Sequence, residues 1–287
     1  MKHVPPHPNH RYWLDRKRWN IAGQLNTALL YCEGELIVRI DDCCEFKPWY
    51  LERFWEHYQS GWFPMAMHIR YHAGKPARVD ENYLKEGYEA RHSYTVEEAD
   101  RAELLRRLYG EGGLVRDTRW PIVEQHGGRM RAMENWGYGY IGFSLEAALK
   151  VNGFDEAFDG DKSLEDVDFY SRLCMAGYDL GILDVNLWVI EHEHEPIPED
   201  VIARDVKPIK CNYALYLLNR RKGRWRANTG GFTEEDFEFI RSESLKPPCS
   251  PRPHYYEGDC SGPLWEEWKR RANYAFDLRE ERLEVEA

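Results

Sequence analysis

WGYGYIGFSLEAALKVNGFDEAFDGDKSLEDVDFYSR, residues 136–172, sets a Gly/aromatic strand, two capped helices and an acidic pair in one order. Ser144 stands where it caps a helix from Leu145 to Asn152, and Gly153 follows as the left-handed stop. A second helix is expected to start at Ser163, which has capping-box spacing to Asp166, and to end before Gly177. Glu165 and Asp166 then fall in a first helical turn, where unpaired N–H groups and the helix dipole favour negative charge. Both carboxylates are expected to stay ionised there, and that alone is a sound reason for acids without any chemistry.

Upstream, GELIVRIDDCCEF (residues 34–46) carries an uninterrupted run, Leu36 to Ile40, that reads as a buried strand of a parallel sheet. Asp41 and Asp42 follow at its carboxyl end, where open α/β sheets bind ligands. Taken in isolation, two aspartates after a strand are ordinary turn formers.

Together, NTALLYCEGELIVRIDDCCEFKP (26–48), GFSLEAALKVNGFDEAF (142–158) and EDVDFYSRLCMAGYDLGILD (165–184) resemble GT-A glycosyltransferases of the family 2 type. The later blocks are also similar to the C-terminal region of the galactosyltransferases, with their NGF and ED-x-D signature. The resemblance runs from about Arg18 to Glu195. It implies an α/β fold, a mixed but mostly parallel sheet flanked by helices, here followed by a helical C-terminal extension. It also implies a nucleotide-sugar donor, a UDP-sugar first, and a glycan or other hydroxyl acceptor. The reaction implied is inverting transfer assisted by Mn²⁺ or Mg²⁺. Carried over by position, Asp41 and Asp42 match the first two acids of the metal-diphosphate element, with Arg39 beside them on the donor side. Asp166 matches the general base and Glu165 its acceptor-binding neighbour. The residue types suit these roles: hard cations prefer oxygen ligands, a cation offsets charge on the departing diphosphate, and a carboxylate can take the acceptor proton.

The sequence departs from the family at two points. Cys43 stands where a third acid usually binds the metal, and a thiol suits Mg²⁺ or Mn²⁺ poorly. Either Asp42 or Glu45 substitutes, or metal binding is weak or lost. The family's opening strand, helix and strand do not precede Arg18, so the chain reads as N-terminally truncated relative to the fold. An edge exposed in that way is expected to be blunted by the Pro-rich N-terminal arm or covered by a second copy or a partner chain.

In LWVIEHEHEPIP, His192 and His194 lie two apart on a strand and so face one side; the resemblance adds a metal-binding histidine here, His192 first and His194 second. Trp136, Tyr138 and Tyr140 flank Gly137 and Gly139, an alternation that lets a sugar stack on a ring while the backbone comes close. The resemblance makes Trp136, Tyr138, Gly139 and Tyr140 the acceptor wall, with core packing as the competing account.

The formal charge of −11 argues against a broad nucleic-acid surface, although Arg220, Arg221, Lys222, Arg224 and Arg226 form a local basic run. No run of about 18 apolar residues exists, so no membrane span is expected. Seven cysteines without a CxxC pair suit a reducing cytoplasm. Residues 1–200 read as the catalytic domain and 201–287 as the extension. Within these, helices are expected over 97–109, 212–221, 233–243 and 263–283, with a glycine-rich passage at 110–128 that reads equally as a flap or a passive surface loop, and a Pro-rich connector at 247–253. Two rival functions remain open: an inactive nucleotide- or glycan-binding relative, and a His/Asp metal hydrolase built on EHEHEP.

Overall fold

The computed structural model describes residues 20–41, 44–71, 114–160, 164–192, 211–244 and 260–286. Its YIGFS segment is an interior strand whose first four residues are buried. Among the described residues seven strands make one sheet: β1 (Leu36–Arg39), β2 (Cys44–Glu45), β3 (Phe63–Tyr71), β4 (Leu114–Arg116), β5 (Arg129–Arg131), β6 (Tyr140–Ser144) and β7 (Gly181–His192). The spatial order is β1-β6-β3-β7-β2, with β4 beside β3 and β5 beside β7.

Among the described residues only β3 and β7 pair in parallel. The other pairings, β1 with β6, β6 with β3, β3 with β4, β7 with β5 and β7 with β2, are antiparallel. The mixed α/β class holds, and the expected mostly parallel sheet is corrected to a mostly antiparallel one. The misleading signal was the run at Leu36 to Ile40. Its strand lies at the margin of the described sheet, its first three residues are half-buried, and Ile40 is 49% exposed. An apolar run favours extended chain; it does not fix how many faces are covered or which way the neighbours run.

The local signals around β6 act as read. Ser144 Oγ accepts the Ala147 N–H at 3.1 Å and starts α4 (Leu145–Lys150), and Gly153 follows at φ +67°. Phe154 then stacks on Phe169 at 4.2 Å, and Phe143 meets Phe169 edge-on at 4.8 Å. These rings pin α5 (Glu165–Met175) against β6. The helix starts at Glu165 after a left-handed Leu164, φ +78°, and Ser163, the expected cap, lies outside the described residues.

The remaining helices are α1 (Ile21–Leu30), α2 (Tyr50–Gln59), α3 (Trp120–Gln125), α6 (Asn212–Lys222), α7 (Glu234–Ser244), α8 (Gly262–Ala272) and α9 (Leu278–Glu286). The single helix expected over 263–283 is corrected to α8 and α9. Trp265, Trp268 and Ala272 share a buried face, and Ala275 sits in a break where it bridges Thr229. The break is held by specific bonds: the Phe276 N–H reaches Asn228 O at 3.0 Å and the Leu278 N–H reaches Asn152 Oδ1 at 2.8 Å. The C-terminal helices share a core with the loop before α5, where the Trp268 indole N–H donates to Ala157 O at 3.0 Å. Residues 97–109, 110–113 and 247–253 lie outside the described residues. Within the glycine-rich passage, Gly127 and Gly128 form a left-handed turn between α3 and β5.

Candidate functional site

β1 and β3 both run antiparallel to β6, and β7 runs with β3, so the carboxyl ends of β1, β3 and β7 share one end of the sheet with the start of β6. There the two acidic motifs of the sequence meet. Arg39, the last residue of β1, is 8% exposed and sits among three carboxylates. Its Nη2 lies 3.0 Å from Asp41 Oδ1 and 3.5 Å from Glu165 Oε1, and its Nη1 lies 3.3 Å from Asp166 Oδ2. Nη1 also donates to Gly139 O.

Asp166 is held from further directions. The Gly139 N–H donates to Oδ2 at 2.9 Å and the Val167 N–H to Oδ1 at 2.7 Å. Gly139 adopts φ +76°, which lets both its N–H and its carbonyl serve this cluster. Glu165 differs from its neighbour: its side chain is 7% exposed, and of these donors it has only the long contact to Arg39. Burial first and the Asp166 charge second push its pKa up to about 8, with Arg39 only partly opposing them. Burial works against the Arg39 charge, but Asp166, Asp41 and Glu165 together hold its pKa above the ordinary value. The pair thus divides into Asp166, surrounded by donors, and Glu165, a carboxyl that keeps its proton near neutrality.

Of the expected donor and metal residues, Arg39 and Asp41 are brought together, with Asp41 40% exposed at the side chain. Asp42 and His194 lie outside the described residues, and so does the His192 side chain, although its backbone ends β7 opposite Tyr71. Among the described residues, no group of three His, Cys, Asp or Glu side chains is arranged to hold a metal ion.

Of the residues expected in the acceptor wall, Trp136 and Tyr140 have buried side chains. Trp136 and Tyr140 are each 1% exposed, and Tyr140 shares a 2.7 Å hydrogen bond with Cys44 Sγ. Both are core side chains: Trp136 ends a short 3₁₀ turn (Glu134–Trp136) and Tyr140 opens β6, which runs inside the sheet. Tyr138 is partly buried, and its ring lies under the Arg119 guanidinium at 3.9 Å.

That contact belongs to a second cluster at the same end, which sequence reasoning missed. Asp117 and Arg119 have fully buried side chains and form an ion pair, with Nη2 to Oδ2 at 2.5 Å and Nε to Oδ1 at 3.0 Å. Arg119 Nη1 donates to Trp136 O at 2.7 Å, and Tyr138 Oη donates to Asp117 Oδ1 at 3.2 Å. Burial opposes the Asp117 charge, but Arg119 and His68 hold its pKa well below the carboxylate range. The Trp136–Gly139 turn is therefore gripped by Arg119 on one side and Arg39 on the other. The available signal was Asp117 and Arg119 standing two apart just before an apolar helix start, a pattern that surface chains share.

Four of the five residues of the basic run have partners within the fold. Arg220 pairs with Glu134 at 2.7 Å, Lys222 with Asp236, and Arg226 with Asp277, while Arg224 donates to Gly230 O at 2.6 Å. No helix among the described residues is long and apolar enough to cross a membrane.

No family model matches this chain, no curated protein matches it, and no solved structure matches its fold.

Proposed function

We propose that the protein transfers a sugar from a nucleotide-diphosphate donor to an acceptor hydroxyl with inversion, with Asp166 as the proton acceptor. One observation carries this reading: Arg39 joins Asp41 to Asp166, which lies 127 residues beyond Arg39, at the carboxyl ends of β1, β3 and β7. That end is where α/β sheets place their ligands. Asp41 lies on the donor side. Glu165 and Asp166 lie on the acceptor side with Tyr138, and Arg39 keeps the two sides in register. A divalent cation would supply charge to offset the departing diphosphate, held by Asp42 with His192 or His194. The acceptor oxygen would attack the anomeric carbon as its proton passes to Asp166.

A second reading has its own observation. Arg39 is already engaged by Asp41, Glu165, Asp166 and Gly139, which leaves it little to offer a phosphate. A nucleotide- or glycan-binding module without turnover fits that arrangement.

Thermal unfolding with UDP, with and without Mn²⁺, and consumption of UDP-galactose by wild type and Asp166→Asn separate the two. Transfer predicts a metal-dependent upward shift in Tm for both proteins and turnover lowered about 10²-fold or more by the substitution. A shift without turnover supports the binding module. Equal turnover in the two proteins removes Asp166 from its role.

A further inference from the structure

β1 is a margin strand: among the described residues it pairs with β6 alone. The Leu145 N–H reaches Glu35 O at 3.4 Å, so the alternation of an antiparallel ladder turns the N–H and C=O groups of Leu36 and Val38 to the outer side. Soluble proteins commonly blunt such an edge with a lysine or a proline. Leu36, Ile37 and Val38 supply neither, and the Arg39 charge is already compensated within the carboxylate cluster.

α2 lies along this edge. Its residues Tyr50, Phe54 and His57 are buried, and one position round the helix runs a second stripe, Leu51, Trp55 and Tyr58. Leu51 is 66% exposed and Trp55 40%, and the Trp55 ring stacks on Tyr58 at 5.7 Å. The Tyr58 hydroxyl donates to Glu35 O at 3.3 Å, which sets the stripe beside the start of β1. Ile40, 49% exposed, extends the apolar surface past the end of the strand.

The charges round this surface are one-sided. Glu33, Glu35, Glu52, Glu56 and Glu146 are exposed. The Tyr58 phenol lies within reach of two of them, its pKa raised first by burial and then by Glu35 and Glu146. Arg53 of α2 is already paired with Glu56 at 3.6 Å.

We propose that the β1 edge and the α2 stripe form a docking surface for a basic, apolar segment of a partner polypeptide, added to the sheet as a strand beside β1. Leu36 and Val38 exchange main-chain hydrogen bonds with it, its apolar side chains lie on Leu51 and Trp55, and its lysines or arginines meet the carboxylates. A second copy of this chain is disfavoured by the same charges, since two β1 edges paired about a two-fold axis bring two sets of carboxylates together. The surface ends at Asp41, so the bound segment reaches the rim of the candidate site, but its recognition does not depend on sugar transfer.

The probe is a synthetic peptide of alternating lysine and valine, titrated against the full chain and followed by tryptophan fluorescence and by hydrogen exchange of the backbone amides. One control peptide carries glutamate in place of lysine. The other keeps the lysines but is N-methylated at alternate residues, which removes the donors of one strand edge. Slowed exchange at the Leu36 and Val38 amides is expected with the first peptide, with binding at least about tenfold weaker for both controls and for Leu51→Lys. Unchanged exchange at Leu36 and Val38 overturns the proposal. So does an N-methylated peptide that binds as tightly as its parent, which would reduce the effect to charge attraction, or a folded Leu51→Lys protein that binds like wild type. Light scattering settles the occupant: a monomer supports a separate partner, whereas a wild-type dimer that Leu51→Lys disperses would give the surface to a second copy and overturn the assignment.

Discussion

Gly137 and Gly139 stand two residues apart in the same turn, yet they are glycines for different reasons. A Cβ at Gly137 would meet Tyr170 Cβ at 2.1 Å and Cγ at 2.6 Å, so the side chain of α5 occupies the space that any other residue needs. A Cβ at Gly139 would meet nothing within 4 Å, but its φ of +76° disfavours L residues. Gly137→Ala is therefore expected to cost about 3 kcal/mol through overpacking, and Gly139→Ala about 1–2 kcal/mol through backbone strain. Urea unfolding of both variants checks the order; equal losses would show that packing on Tyr170 is not what fixes the turn. The spacing of the glycines was legible in the sequence. Their separate causes were not, because one depends on a ring 33 positions downstream in the chain.

The start of α5 shows how an element can be placed by strain. Leu164 holds φ +78° and ψ −5°, no side chain caps the helix, and the next two residues are Glu165 and Asp166. A left-handed leucine costs roughly 1–3 kcal/mol, and the contacts that repay it are those of Arg39 and Gly139 with the two acids. A β-branched residue tolerates this conformation worse than leucine does. Leu164→Val is therefore expected to destabilise the protein by about 1–3 kcal/mol, and more than Leu164→Gly, although glycine removes more side chain. Denaturant midpoints of the two variants test this, and a greater loss in the glycine variant would locate the effect in the Leu164 packing. The capped helix α4 was readable from Ser144 and Gly153 because both its signals are local. The α5 start was misplaced because its cap is a conformation that tertiary contacts impose.

At the scale of the molecule, buried carboxyls set opposing pH dependences. Asp117 and Asp184 have depressed pKa values, burial being outweighed by Arg119 and His68 in the first and by His57, Asn186 and Arg129 in the second. Their stabilisation is present above the unfolded pKa and is lost as pH falls. Glu156 and Glu165 are pushed up to about 8 and Asp159 to about 6, burial being the main cause in each. For these the unfolded chain releases the proton first, so stability is full below the unfolded pKa and is lost as pH rises towards 8. The optimum is therefore expected at about pH 4–5, and urea midpoints from pH 3 to 8.5 should trace it. Glu156→Gln should flatten the alkaline side, and an unchanged slope would remove Glu156 as a cause. Glu156 and Asp159 also join the α/β part to the C-terminal helices, since Arg271 of α8 donates to Glu156 O at 3.0 Å and to Asp159 Oδ2 at 3.1 Å. By itself the sequence determined the α/β class, the helix-capping signals of α4, the helices of the C-terminal region and the acidic motifs, since each is written in neighbours a few residues apart. Strand direction, the break between α8 and α9, the burial of Trp136 and Tyr140, and the Asp117–Arg119–His68 cluster were decided only by tertiary structure. Pairing partners, close approach and desolvation all depend on chain segments that local spacing does not bring together.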